Sequence, residues 1–342
     1  MSEKTKNIVE LDSEPVSPFA GAMREFRRNR LAVLGGVFIV VVVLAAIFAP
    51  VVTPYEFDYQ NIQQNRMKPL TGYDISETQA ERCHWYGTPL EWGCTVFLTG
   101  SDGLGRDLYS RMIYGTRVSL SVALVGSIIA LSIGIVLGTI SGFYGGRVDN
   151  IMMRIIDFLY AIPLLPIIIL MQVYFQALGR QGINTGIGGR LISLNQQMGG
   201  LLFLFIAIGI LNWIGMARLA RGQVLSYKNK EFVEAAQSVG ASDTRIIFKH
   251  LLPNIFGPLL ILETLAIPGY IFLEAILSFI GLGVNPPIPS WGSMINEGYT
   301  GLRSNPHLTL APGIALTLLT LAFNFFGDGL RDAFDPKLRG KV

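Results

Sequence analysis

The 342-residue sequence is poor in charge. Asp, Glu, Lys and Arg supply 15% of it, against about 25% in soluble domains. So few charges cannot clothe a water-soluble globule of this length, and lipid must cover part of it. The net charge of +3 is too small to point to nucleic acid. Cysteine is nearly absent: Cys83 and Cys94 alone cannot build a thiolate metal cluster. The three histidines, His84, His250 and His307, lie far apart, and no His-Glu-x-x-His occurs, so no metal site is expected. There is no Gly-x-x-x-x-Gly-Lys-Ser/Thr phosphate loop, so the chain is not expected to hydrolyse ATP itself. Gly103-Leu-Gly105 is followed by Leu108 where a dinucleotide fingerprint needs glycine. No catalytic residues and no bound cofactor are expected.

What is present is hydrophobic residues, 51% of the chain, gathered into six runs near the roughly 20 residues that cross a bilayer as helix. They cover 31–52, 118–141, 151–177, 199–218, 255–279 and 309–327. In lipid every backbone N–H and C=O must be paired within its segment, so each run is read as a helix. Lys and Arg orient the bundle. With the N-terminus inside, 18 of the 27 fall on the cytoplasmic side, and most of the rest lie in one long loop, which the positive-inside rule weights little. Both termini are therefore expected in the cytoplasm. The chain divides into a cytoplasmic segment 1–30, a first span 31–52, an extracytoplasmic loop 53–113, a core of five spans over 114–328, and a tail 329–342.

Within segment 1–30, Ser17 and Pro18 can start a helix. Phe19, Met23 and Phe26 share one of its faces, with arginines beside them, which suits a helix lying on the inner leaflet. In the outer loop an oxidising compartment favours a Cys83–Cys94 disulfide over two free thiols. Gly126, Ala130, Gly134, Gly138 and Gly142 recur every four residues, a stripe that lets another helix approach closely. Asp157 stands three residues after Arg154, which suggests a local pair. Glu263 and Glu274 are eleven residues apart on one face of the fifth run. Intramembrane acids either line a polar path or pair with a neighbouring helix, and both readings stay open for these two.

The most informative stretch is 231–253, between the fourth and fifth runs. Phe232, Ala235, Ala236 and Val239 form one apolar stripe, and Ile246, Ile247 and Leu251 a second. Gly240 suits the left-handed residue that closes a helix, Ser242 an N-cap, and Asp243 the positive end of the next helix. Pro253 leads into the fifth run. Such a helical hairpin needs a partner to cover its apolar face. Glu234-Ala235-Ala236, three residues, Gly240, then Leu252-Pro253 resembles the EAA loop of ABC-importer permeases. Gly103-Leu-Gly-Arg-Asp107, Ile113-Tyr-Gly-Thr-Arg-Val-Ser119, Gly142-Phe-Tyr-Gly-Gly146, Leu273–Gly283, Pro289-Ser-Trp-Gly292 and Gly327–Pro336 resemble the C-type permeases of dipeptide, oligopeptide and nickel importers. One departure is an insert carrying Cys94 between His84-Trp-Tyr-Gly-Thr88 and Gly105-Arg-Asp107.

The resemblance implies a type I permease fold, an all-α polytopic bundle with a cytoplasmic coupling hairpin, in a bacterial inner membrane. It implies a homologous permease subunit, two ATPase subunits that bind the ATP, and an extracytoplasmic substrate-binding protein as partners, with peptide as substrate and nickel or another small solute as the alternative. Glu231, Glu234, Ala235, Ala236, Gly240, Asp243, Leu252 and Pro253 would then couple to the ATPase. The rival reading is an ion-driven secondary transporter with Glu263 and Glu274 as carriers. It leaves 231–253 without a role, and no internal repeat supports it.

Overall fold

The computed structural model describes residues 18–180 and 186–334. The helices are α1 (Pro18–Arg28), α2 (Arg30–Ile47), α3 (Ala49–Val52), α4 (Glu77–Arg82), α5 (Leu108–Tyr144), α6 (Gly146–Ala161), α7 (Leu164–Arg180), α8 (Gly186–Gln197), α9 (Leu201–Tyr227), α10 (Glu231–Ser238), α11 (Asp243–Ile246), α12 (Leu252–Phe279), α13 (Trp291–Tyr299) and α14 (His307–Phe334). The only sheet among the described residues is a two-stranded antiparallel ribbon, Thr71–Gly72 against Val96–Phe97.

Five helices, α2, α5, α9, α12 and α14, are long and apolar enough to cross a membrane, and α6 with α7 makes a sixth crossing if the bent pair is one span. The single helix expected over 151–177 is therefore corrected. The chain turns by 77° between α6 and α7. Pro163 stands at that break. It lacks an N–H and pushes the residue before it out of the helical region, and Ile162 is extended at φ −79°, ψ 129°. Other limits shift too. The first crossing helix stops at Ile47, with α3 a separate turn beyond it. The loop expected to reach residue 113 ends where Asp107 caps α5, and α14 runs on to Phe334 instead of stopping at 328.

The tightest seam joins α5 to α9. A Cβ placed on Gly134 would lie 2.6 Å from the Met216 Cβ, one on Gly138 would meet the Ala217 carbonyl, and one on Gly142 would lie 2.9 Å from the Val224 Cβ. The four-residue glycine ladder is thus the face on which α9 lies, and dispersion contact between backbones holds the pair together. On the other side of α5, Ile271 and Ala275 of α12 share a core with Trp291, Met294, Leu319 and Phe323. The helix α1 packs on α14, with Phe26 edge-on to Phe326 at 5.6 Å between ring centres. Part of the apolar face assigned to the lipid surface is therefore covered by protein; Ser17 lies outside the described residues.

Residues 53–107 fold at one end of the bundle, the loop end. Tyr55, Cys83, Trp85 and Cys94 form their core. Cys83 and Cys94 are joined as a disulfide. The Trp85 Nε1 donates to the Val51 carbonyl at 2.8 Å, which ties this core to the end of α3.

Candidate coupling site

The 231–253 hairpin stands at the opposite end of the bundle from the loop fold. Its first helix, α10, ends in a double hydrogen bond: Gly240 N–H donates to the Gln237 carbonyl at 2.9 Å and Ala241 N–H to the Ala236 carbonyl at 3.0 Å. That is the glycine-closed helix end in which the terminal residue is left-handed. Gly240 has φ +77°, and nothing lies within 4 Å of a Cβ built on it. Glycine is needed there for its backbone conformation and not for space. The Ser242 Oγ then accepts from Arg245 N–H to start α11. A wide turn, Ile247–Leu251, leads into α12, where the Leu252 N–H reaches back to the Ile247 carbonyl. This bulge precedes Pro253, which has no N–H to continue the ordinary ladder.

The hairpin has two faces. Val233, Ala236, Ile246 and Leu251 are buried against Met216, Ala220 and Val224 of α9 and Ile255 and Leu259 of α12. The stripe of Phe232, Ala235, Ala236 and Val239 expected from spacing is thus mostly the outward one: Val239 is 85% exposed, and only Ala236 of the four is buried. The buried contacts of α10 come from Val233 and Ala236, three apart. Phe232, Ala235, Val239, Arg245, Lys249 and His250 instead line an open groove of 490 Å³. Glu231, Glu234 and Asp243 are exposed on the same hairpin. One small element therefore presents an apolar, basic-edged groove outward while its other side is set into the core that α5, α9 and α12 share.

Next to the hairpin, Asp149 at the start of α6 accepts two hydrogen bonds from the Arg221 guanidinium of α9, at 2.5 and 2.6 Å, and one from Ser141 of α5. The Lys228 ammonium donates to the Gly142 carbonyl at 3.1 Å. Three helix ends are locked together there. Asp157 pairs with Arg218 of α9 at 2.6 Å and not with Arg154, where α6 meets α9 through Ile156, Ile214 and Ala217.

Glu263 and Glu274 both face the interior. Glu263 accepts from the Tyr270 hydroxyl at 2.8 Å within α12. Glu274 has no exposed surface; it accepts from Ser119 of α5 at 3.0 Å and from Ser278 at 2.6 Å. No cation meets either carboxyl among the described residues.

At the loop end a cluster escaped the sequence reading. Asp102 accepts from Arg106 and from Arg111, each at 2.6 Å, and both arginines also reach Glu297 of α13, at 3.1 and 2.6 Å. Arg111 is nearly fully buried, and a buried charge needs such pairing. Beside it the Asp107 carboxylate caps α5, accepting from Ser110 N–H at 2.7 Å and Ser110 Oγ at 2.6 Å. Burial raises the Asp107 pKa from 3.8 to about 6, partly offset by these bonds. The signal in the sequence was the Gly105-Arg-Asp107 motif; its partner Glu297 lies some 190 positions away and carried none.

The described residues form a polytopic helical bundle of the membrane class, with a groove-bearing hairpin at one end. Residues 134–340 match the family of binding-protein-dependent transport system inner membrane components, and residues 17–69 match the N-terminal TM domain of oligopeptide transport permease C. The chain belongs to this permease family, as the motif at 231–253 led one to expect. It is 39% identical over 329 residues to the oligopeptide transport system permease protein OppC of Bacillus subtilis, covering 96% of this chain and 93% of that one. It is 35% identical to the dipeptide transport system permease protein DppC of the same organism, over 98% of this chain and 91% of that one. Among solved structures, the inward-facing MetNI methionine ABC transporter aligns with TM-score 0.46 and 18% identity, over 65% of this chain and 96% of that chain.

Proposed function

We propose that this permease imports peptides across the bacterial inner membrane and that residues 231–253 are the handle by which separate ATPase subunits drive it. Support for the handle comes from the outward groove around Val239 and Lys249, set on a hairpin whose inner face is continuous with the packing of α9 and α12. A helix inserted into a partner's cleft moves whatever its back face is packed on. ATP is bound by the partners, since this chain has no phosphate loop. The hairpin end faces the cytoplasm, with both termini, on the Lys and Arg distribution. The loop end then meets an extracytoplasmic binding protein, and a homologous permease completes the pathway. The peptide substrate rests on the oligopeptide and dipeptide permeases that the chain is similar to.

Val239 stands exposed beside the left-handed Gly240, where a partner's cleft can reach it. A Val239→Cys variant, carrying a short bifunctional cross-linker, is expected to capture the ATPase subunit in membranes, and capture is expected to stop ATP-driven peptide uptake. Cross-links only to extracytoplasmic protein, or peptide uptake that persists without an ATPase subunit, would overturn the proposal.

A further inference from the structure

The bundle has an open lateral cleft between its apolar helices, away from the hairpin. It measures 580 Å³ and is built by four helices: Ala46 and Ile47 from α2, Leu120 and Leu124 from α5, Ile267 from α12 and Phe323 from α14. Apart from Ser121 its lining has one polar member, Arg117. The volume falls in the range of about 300–1,000 Å³ typical of small-molecule sites.

The position of Arg117 fixes the depth of the cleft. Its Nε donates to the Ala46 carbonyl at 2.6 Å and its Nη2 to the Ile47 carbonyl at 3.1 Å. These are the last carbonyls of α2, the point where that 18-residue apolar helix leaves the hydrocarbon. The guanidinium lies over the Tyr114 ring at 4.8 Å, an aromatic placed at the same interfacial level. Among the described residues no carboxylate pairs with Arg117, and its Nη1 has no hydrogen-bond acceptor. A cation is thus held at headgroup height with a donor still to spend, over a cleft walled by aliphatic and aromatic side chains. Ile47 and Leu124 are 59% and 62% exposed, so acyl chains reach the cleft from the side.

We infer that this cleft is a binding site for one anionic phospholipid, its phosphate on Arg117 and an acyl chain between α2 and α5. Charge complementarity selects the anionic headgroup, and the apolar walls select a lipid over a free phosphate. The bound lipid braces α2 against α5, whose mutual contact is much slighter than that of α5 with α9.

The test uses the full chain, with the subunits that purify with it, in nanodiscs of phosphatidylethanolamine with or without phosphatidylglycerol. Native mass spectrometry is expected to find one phosphatidylglycerol retained on this subunit, and the anionic lipid is expected to raise its Tm. Arg117→Lys keeps the charge and retains the lipid. Arg117→Gln lowers retention roughly tenfold, the cost of a lost charge-assisted contact. Ser121→Trp, which fills the cleft and leaves Arg117 in place, abolishes retention. Inorganic phosphate does not displace the lipid. Equal retention by wild type and both Arg117→Gln and Ser121→Trp overturns the inference, as does displacement by phosphate. Should either variant fold poorly, the wild type alone decides: the same Tm with both lipid compositions sinks the site. A Leu124→Cys photoprobe that labels another protein segment and not lipid overturns it as well.

Discussion

Gly138 of α5 stands so close to Ala217 of α9 that a methyl group on it would overlap the Ala217 carbonyl oxygen. The two helices touch backbone to backbone, and neither has a flexible side chain in between that could yield. Replacing Gly138 with Val is expected to cost about 1–3 kcal/mol, the usual penalty of overfilling a packed seam. The measurement is the Tm of the detergent-solubilised subunit. Gly215 is the control: it lies in α9 with nothing within 4 Å of an added Cβ, so Gly215→Ala should leave Tm unchanged or raise it slightly. Equal effects of the two substitutions would show that the seam is not what the glycines serve.

Gly240 poses the opposite case, open space with a constrained backbone. At φ +77° a β-branched side chain is strained by roughly 1–2 kcal/mol even with no neighbour to strike. Gly240→Val is expected to reach the membrane in normal amount but to lose substrate-stimulated ATP hydrolysis in the assembled importer. Gly240→Asn, which tolerates the left-handed region, should keep most of it. ATPase assays on proteoliposomes separate the two. Normal stimulation in Gly240→Val removes the hairpin turn from the coupling mechanism.

The parts of this fold that were legible in the sequence are those whose signal is local and periodic. Apolar runs mark where lipid is, the four-residue recurrence of Gly126 to Gly142 marks a helix seam, and Gly240 with Ser242 marks a helix end and the next start. Two kinds of feature were not legible. Hydropathy averages over a break, so the Pro163 bend inside an apolar run read as one straight helix, and α13, too short to form an apolar run, gave no signal between two of them. Pairing across the fold is invisible to spacing: Asp157 finds Arg218 and not its neighbour Arg154, and Arg111 finds Glu297. On the hairpin, the period showed that Phe232 and Val239 share a side with Ala235. It could not tell that this side faces outward, because the core it might have met is built by α9 and α12.

Asp107 gives the loop end a pH dependence with a definite sign. Its pKa is raised in the folded protein to about 6, from 3.8, chiefly by burial. The folded state therefore binds the proton more tightly than the unfolded one. This contribution is fully present below the unfolded pKa and is lost as pH rises through about 6, so stability falls across that window. Two units correspond to about 3 kcal/mol at most. Hydrogen exchange of residues near the start of α5 should slow as the pH-corrected sample is taken from neutral toward about pH 5. Asp107→Asn keeps an oxygen to accept from Ser110 and removes the titration, so its protection should not change over that range. A wild type with no such change, or an Asn variant with the full change, sinks the assignment.

Glu274 separates an ATP-driven permease from an ion-driven carrier. It is fully buried, and its two oxygens take hydrogen bonds from Ser119 and Ser278, so it joins α12 to α5 through neutral donors. A group that ferries ions must exchange its charge during transport, whereas one that only accepts hydrogen bonds needs the acceptor oxygen. Glu274→Gln keeps an acceptor of the same shape and is expected to support peptide uptake within about two- to threefold of wild type, since a neutral hydrogen bond replaces a charged one at small net cost. Glu274→Leu strands the two buried hydroxyls, at about 1–3 kcal/mol, and should lower both Tm and the amount of subunit in the membrane. Uptake assays in vesicles, with ATP supplied inside and the proton gradient collapsed, decide the matter. If Glu274→Gln abolishes uptake while Tm holds, the carboxyl takes part in transport, and the hydrogen-bonded clamp between α5 and α12 must open during the cycle.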